Sequence, residues 1–390
     1  MVENILILGN GFDLAMGRQT SYEDFLRFLN SISVQSSNSE EFFDTNIING
    51  LIQEKKIEKD DYFSKISKNL FLKYINENKS KLGEKWSSIE LVISDIAEAI
   101  SYFKEHLEQF GPIFFSNGFV KGWPKLQEKF KAKSNFSVLS FVADYLIDRS
   151  FHRSQGFQKI LDKCNEEFIQ ALEELTDYLE FYLTYLDKLD FEERIIEKRR
   201  SNLDVIEGLE KAKVLTFNYT DTANRLFGIS EENTHFIHGR IDFARNKKSI
   251  NTMVFGIEDK EDKTENINPD LISYQKFYQR IIKETGSDYR KFFEKPKNSG
   301  EAVDDMNIIV FGHSVDPLDK EIFEKCFDLA EKRGGKYKFI FNYYDEKAKR
   351  EIVKNLTIIL EKERMISLTA EQKVAFVKCD DVQRMERELL

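Results

Sequence analysis

Residues 4–15 read Asn4-Ile5-Leu6-Ile7-Leu8-Gly9-Asn10-Gly11-Phe12-Asp13-Leu14-Ala15. A run of apolar residues stops abruptly at Gly-Asn-Gly, the pattern of a buried strand feeding a tight turn. Gly9 and Gly11 let the backbone take conformations closed to a side chain, or let a ligand come close. This stretch alone leaves a structural turn and a ligand cradle equally open. In open α/β sheets, ligands bind just beyond the carboxyl ends of the strands.

Working outward, strand signals return at 213–217, 235–238, 253–255, 307–311 and 338–341. Helical patterns fall between them at 269–285, 318–332 and 346–361. Alternating strands and helices predict a Rossmann-like α/β core, a largely parallel sheet flanked by helices. Thr20 or Ser21 is placed to cap a helix through Phe25, Leu26, Phe28 and Leu29. From 35 to about 205, apolar residues recur every three or four positions, as in Ile89-Val92-Ile93-Ile96-Ile100 and Phe168-Leu172-Leu175-Leu179-Tyr182. This block is too long for an ordinary crossover. The expected organisation is a core of residues 1–34 and 206–390 with a large α-helical insertion at 35–205.

The 390 residues carry a net charge of -10, which argues against a general nucleic-acid surface. Thirty-four Phe supply ample core material. Cys164, Cys326 and Cys379 are far apart and suit neither a zinc site nor a disulfide framework, so a reducing cytoplasm is the expected compartment and no metal is expected. No run reaches the roughly 20 apolar residues of a membrane span.

Four strand ends carry unusual polar sequences: Gly9-Asn10-Gly11-Phe12-Asp13, Thr216-Phe217-Asn218-Tyr219-Thr220-Asp221-Thr222, His238-Gly239, and Gly312-His313-Ser314-Val315-Asp316. In a parallel sheet all four converge on one crevice. A dinucleotide fingerprint would need a third glycine where Leu14 stands, and no G-x-x-x-x-G-K-[ST] occurs, so hydride transfer and P-loop hydrolysis are disfavoured. Asn218 can bond a ribose hydroxyl, an amide or a water. Asp221 can cap a helix or meet a ligand. His238 suits a general base or a buried structural imidazole. Ser314 and Asp316 compete to cap the helix near Pro317, with His313 facing the crevice. His235 and His238 point to opposite faces of a strand and are not read as a metal pair. His106 and His152 read as surface or packing residues. Ser87 or Ser88 can cap a helix with Glu90 in its first turn; alternatively Glu90 is a carboxylate reaching the cleft. Tyr274 to Arg280 suits base stacking and phosphate contact, but reads more simply as an amphipathic helix with a solvated basic face; Glu197 to Arg200 reads as a solvated face.

These motifs resemble the bacteriophage abortive infection AbiH family. The likeness runs through Leu8 to Ala15, Thr20-Ser21-Tyr22, Trp86 with Glu90, Thr216 to Thr222, Ile237-His238-Gly239, Gly256-Ile257, Phe277 to Arg280, and Phe311 to Ser314. The resemblance implies a bacterial anti-phage protein. A more distant likeness is to the sirtuin-like NAD-consuming fold. By position it implies that Asn218 orients the nicotinamide ribose and a water, and that His238 is the base. It further implies a nucleotide pocket of Gly9, Asn10, Gly11, Asp13, Thr216, Gly312, His313 and Ser314, with Asp13, Asp221 or Glu90 as a stabilising carboxylate. NAD would then be the substrate, with its pyrophosphate at the glycine turn. The chain departs from that pattern at Thr220, where Asp is usual, at Asn10 and at Asp13, and it lacks a zinc-binding cysteine module, so protein deacetylation is disfavoured. The rival readings are a metal-dependent nuclease or nucleotide hydrolase, and a non-catalytic nucleotide sensor. A phage-derived trigger, a partner defence protein and self-assembly are all compatible with the sequence.

Overall fold

Along β1 (Val2–Leu8) the side chains alternate between two apolar environments: Ile5 and Ile7 enter one hydrophobic cluster, Leu6 and Leu8 another. A strand buried on both faces belongs at the centre of a sheet covered on both sides. The computed structural model describes residues 2–33, 43–78, 86–106, 108, 136–149, 156–245, 251–257, 269–295 and 303–390. In it β1 lies between β2 (Lys213–Thr216) and β4 (Asp305–Phe311); β3 (Thr234–Phe236) continues on one side, β5 (Tyr337–Tyr343) and β6 (Val374–Lys378) on the other. The order is β3-β2-β1-β4-β5-β6 and every pairing is parallel. The parallel, Rossmann-like sheet is the one expected from the sequence, and its strand order makes it doubly wound. Its strand order reverses between β1 and β4, where such sheets open a crevice.

Among the described residues, eight helices follow β1: α1 (Asn10–Ala15), α2 (Tyr22–Ser33), α3 (Thr45–Glu54), α4 (Lys59–Lys68), α5 (Leu70–Asn78), α6 (Trp86–Glu105), α7 (Phe136–Arg149) and α8 (Phe157–Asp187). The later strands are joined or followed by α9 (Thr222–Phe227), α10 (Pro269–Ile272), α11 (Lys276–Ile282), α12 (Lys320–Arg333), α13 (Glu346–Leu360), α14 (Lys362–Ala370) and α15 (Val382–Glu388). Ser21 caps α2 by accepting the Asp24 N–H at 3.1 Å. The long α8 buries Phe168, Leu172, Leu175, Leu179 and Tyr182 in the helical layer. That core also takes in Tyr22, Phe25 and Phe28 of α2, and Met253, Phe255, Ile257 and Tyr274 from the β3–β4 connection.

Two expectations change. Residues 253–255 are extended and buried but pair with no strand of the sheet. The helical pattern at 269–285 divides in two, because the Tyr274 carbonyl and the Lys276 N–H are used to bridge Ile257, at 2.8 and 3.0 Å. The additional strand, β6, is a five-residue apolar stretch at the sheet edge.

Arg18 clamps the helical layer to the sheet. Its fully buried guanidinium donates to Asp190 Oδ2 (2.9 Å) and Thr222 Oγ1 (2.7 Å) and pairs with Asp187. Burial opposes its charge, but Asp187 and Asp13 outweigh that and raise its pKa. Among the described residues no helix is long and apolar enough to cross a membrane.

Candidate functional site

The ends of β1 and β4 lie side by side, and the turns beyond them touch. The Gly9 N–H donates to Phe311 O at 3.1 Å and the Gly11 N–H to Gly312 O at 2.8 Å. A Cβ on Gly9 would lie 2.7 Å from Gly312 O, and one on Gly11 would lie 2.8 Å from Gly312 Cα. The glycines therefore have a packing reason: no side chain fits between the two turns. Gly11 has already spent its N–H on protein, and α1 is only six residues long. The turn shapes the crevice floor; at Gly11 it offers no free donor to a phosphate.

β2 delivers the next group. The Asn218 N–H donates to Thr216 Oγ1 at 3.0 Å, and Asn218 Nδ2 reaches Gly9 O (3.0 Å) and Asp13 Oδ1 (3.2 Å). One side-chain amide thus joins two strand ends. Thr216 sits below the crevice with its hydroxyl occupied. Asp13 also accepts from Thr220 Oγ1 at 2.5 Å. Burial raises the Asp13 pKa; Arg18 and the hydrogen bonds from Thr220, Thr222 and Asn218 oppose it. Asp13 is consequently a structural anchor at the crevice wall.

Beyond β3, Gly239 takes φ +74°, and the His238 carbonyl accepts the Val254 N–H at 2.7 Å. Gln279 grips the same segment, accepting from Phe255 N at 2.9 Å and donating to Phe255 O at 3.0 Å. These bonds aim the first turn of α11 inward. Lys276, read from sequence as part of a solvated basic face, is instead buried: its ammonium bridges Glu90 Oε1 at 2.8 Å and Asp319 Oδ1 at 2.9 Å.

Asp319 ends a short turn, Pro317–Asp319, capped by Asp316 accepting the Leu318 N–H at 3.1 Å. Asp316 thus takes the capping role for which Ser314 competed. Asp319 gathers the site. His238 Nε2 lies 3.4 Å from Oδ1 and His313 Nε2 3.5 Å from Oδ2. His313 Nδ1 accepts the Val315 N–H at 2.8 Å, which assigns the neutral ring's proton to Nε2. His238 Nε2 is buried and has no hydrogen-bond partner; at 3.4 Å it is not aligned with Asp319. The Phe217 ring packs against both imidazoles, with centroids at 5.3 and 4.3 Å.

The electrostatics follow from burial and Lys276. Burial pushes His238 down to about 4, Lys276 adds to the effect and Asp319 resists it, so the ring is neutral at pH 7. Burial raises Glu90 to about 7, with Lys276 opposing and Asp319 adding to the rise. Burial also works against the Asp319 charge, but Lys276 and the two imidazoles hold that carboxyl well below its usual range. Burial disfavours the Lys276 charge, yet Asp319 and Glu90 raise its pKa above the ordinary lysine value.

These groups enclose a cavity of about 360 Å³, of a size suited to a small ligand. It brings together Gly9, Asn10, Gly11, Asp13, Glu90, Asn218, His238, Gly312, His313 and Ser314, with Lys276 and Asp319 added by the structure. Glu90 reaches it from α6, which starts at Trp86, ahead of Ser87 and Ser88, so neither serine is its N-cap. The side chains of Trp86, Ser87 and Ser88 lie outside the described residues, as does His152. Asp221 is not brought in: both its oxygens accept from Arg225 Nε, at 2.8 and 3.0 Å, on the flank of α9. His235 faces away and packs on Tyr289. Among the described residues no group of three or more His, Cys, Asp or Glu is placed to hold a metal. A larger cavity of about 720 Å³ shares α11, but most of its charges satisfy one another, Arg245 with Asp177 and Glu180, and Lys283 with Glu173.

The family model described as bacteriophage abortive infection AbiH matches residues 5–343, which include every residue of this crevice. The chain belongs to the AbiH family. Membership places it in bacterial anti-phage abortive infection. Among curated proteins and among solved structures the chain has no match.

Proposed function

We propose that this AbiH protein is an abortive-infection effector that hydrolyses the nicotinamide–ribose bond of NAD or a closely related nucleotide. The observation that supports this reading best is the buried, neutral His238 with an unpartnered ring nitrogen, lining the same cavity as Asn218. Asn218 spends its Nδ2 on Gly9 and Asp13, so its carbonyl oxygen remains to orient a ribose hydroxyl or a water.

In the proposed step a water oxygen bonds to the ribose C1′ while the C1′–N bond breaks. The bond's electron pair passes to the pyridinium nitrogen and neutral nicotinamide leaves. The water proton passes to the unprotonated nitrogen of His238, and Asp319 stabilises the resulting imidazolium. The oxocarbenium-like transition state is positive, and the Asp319 carboxylate provides compensating charge, to which Glu90 adds when it is ionised. Metabolite profiling during phage infection tests this. Cells carrying the wild-type chain should lose NAD and accumulate nicotinamide, and cells carrying His238→Ala should not. Phage restriction with NAD left intact would rule the reading out.

A further inference from the structure

Four carboxyl groups line the cavity, Asp13, Glu90, Asp316 and Asp319, against the single ammonium of Lys276. That ammonium is already bonded to two of them. Arg18 offsets Asp13 from behind, through the protein, and does not line the space. No arginine among the described residues does. The Gly11 N–H, which could have met a phosphate, is consumed by Gly312 O. Asp316 has no ion pair among the described residues and Lys276 is shared between two carboxyls, so an anion entering here would meet carboxylate charge, and desolvation would sharpen the repulsion. A cation would be attracted, and the aromatic residues Tyr22, Phe217, Tyr219 and Phe255 line the same space.

We infer that this cavity recognises the positive charge of a ribosyl-pyridinium, a cationic nucleoside, and that phosphate groups contribute little to recognition inside it. The inference rests on the function proposed above and deepens it: the nicotinamide riboside half of the dinucleotide occupies the cavity, while the phosphates lie outside it. It replaces a phosphate cradle at the glycine turn with charge selection by Glu90, Asp316 and Asp319. It also explains how a site without a dinucleotide fingerprint would take a dinucleotide.

The test uses the full-length protein and a matched pair of ligands, nicotinamide riboside and its reduced form, which differ chiefly in ring charge. Calorimetry on the His238→Ala protein, which should leave the ligand uncleaved, should show the oxidised riboside binding at least about tenfold more tightly than the reduced one. Nicotinamide release from the riboside should have a kcat/KM within about tenfold of that from NAD. Asp316→Asn keeps a good capping side chain and removes one charge. It should weaken the oxidised riboside by about threefold or more and leave the reduced form unchanged. Equal binding of the two forms, or cleavage of NAD with the riboside about a hundredfold slower, overturns the inference while leaving hydrolysis intact. Selective binding of the cation with no nicotinamide released from any compound would uphold the inference and overturn the hydrolase reading.

Discussion

Glu90→Gln isolates one carboxyl in the cavity and leaves its shape and its Oε1 acceptor for Lys276 in place. Burial moves the Glu90 pKa from 4.5 to about 7, against the pull of Lys276. At about 1.4 kcal/mol per unit, keeping this carboxyl ionised in the fold costs about 3 kcal/mol. The sign follows from the direction. A carboxyl raised in the folded state contributes stability that is fully present below its unfolded value and lost as pH rises through its folded value. The wild type should therefore lose about 3 kcal/mol relative to Glu90→Gln between about pH 4.5 and pH 8, with the glutamine variant more stable at the upper end. Urea midpoints for both proteins across that range, compared at a common m-value, measure the difference. A gap that stays flat within about 0.5 kcal/mol would refute the reasoning. So would a gap that grows in favour of the wild type at high pH, since the ion pair with Lys276 would then outweigh burial.

Gly312→Ala would force a Cβ to 2.0 Å from the Phe12 nitrogen at φ +72°, and should cost roughly 2–5 kcal/mol in chemical denaturation. Arg18→Met strips the cation from buried Asp190 and half-buried Asp187 and should destabilise by about 3–5 kcal/mol; a smaller loss would mean that the helical layer docks without the clamp. Asp221→Ala removes only a surface pair with Arg225, so denaturation should register less than about 0.5 kcal/mol. Nicotinamide release by that variant should match the wild type, and a large loss would return Asp221 to the site.

Much of the sheet was legible because its strands are buried on both faces: Asn4 to Leu8 and Asn307 to Phe311 are almost uninterrupted apolar runs. The convergence of Gly9, Asn218, His238 and Gly312 was legible too, since parallel strands carry their carboxyl ends to one rim. Strand order was not, because local pattern carries no information about which edge a strand joins. Lys276 read as a surface base because its neighbours Phe277 to Arg280 suit an amphipathic helix; its burial depends on Gln279 and Ile257, contacts set by the tertiary fold. Asp319 drew no reading from the sequence, since nothing in Pro317-Leu318-Asp319 reveals two imidazoles within 3.5 Å. Gly9 and Gly11 were read as a tight turn or a ligand cradle; the close approach of two backbones, far apart in sequence, gives them a packing reason that local pattern does not show. Asp221 sits where motif spacing put it, on the wrong side of a short helix to face the crevice.

The central claim is tested most directly by incubating protein purified from phage-infected cells with NAD and following nicotinamide. Steady release by the wild type, falling by about a hundredfold or more in a folded His238→Ala variant, is the result predicted. Intact NAD after prolonged incubation with protein that still restricts phage, or equal release by the His238→Ala variant, would contradict it.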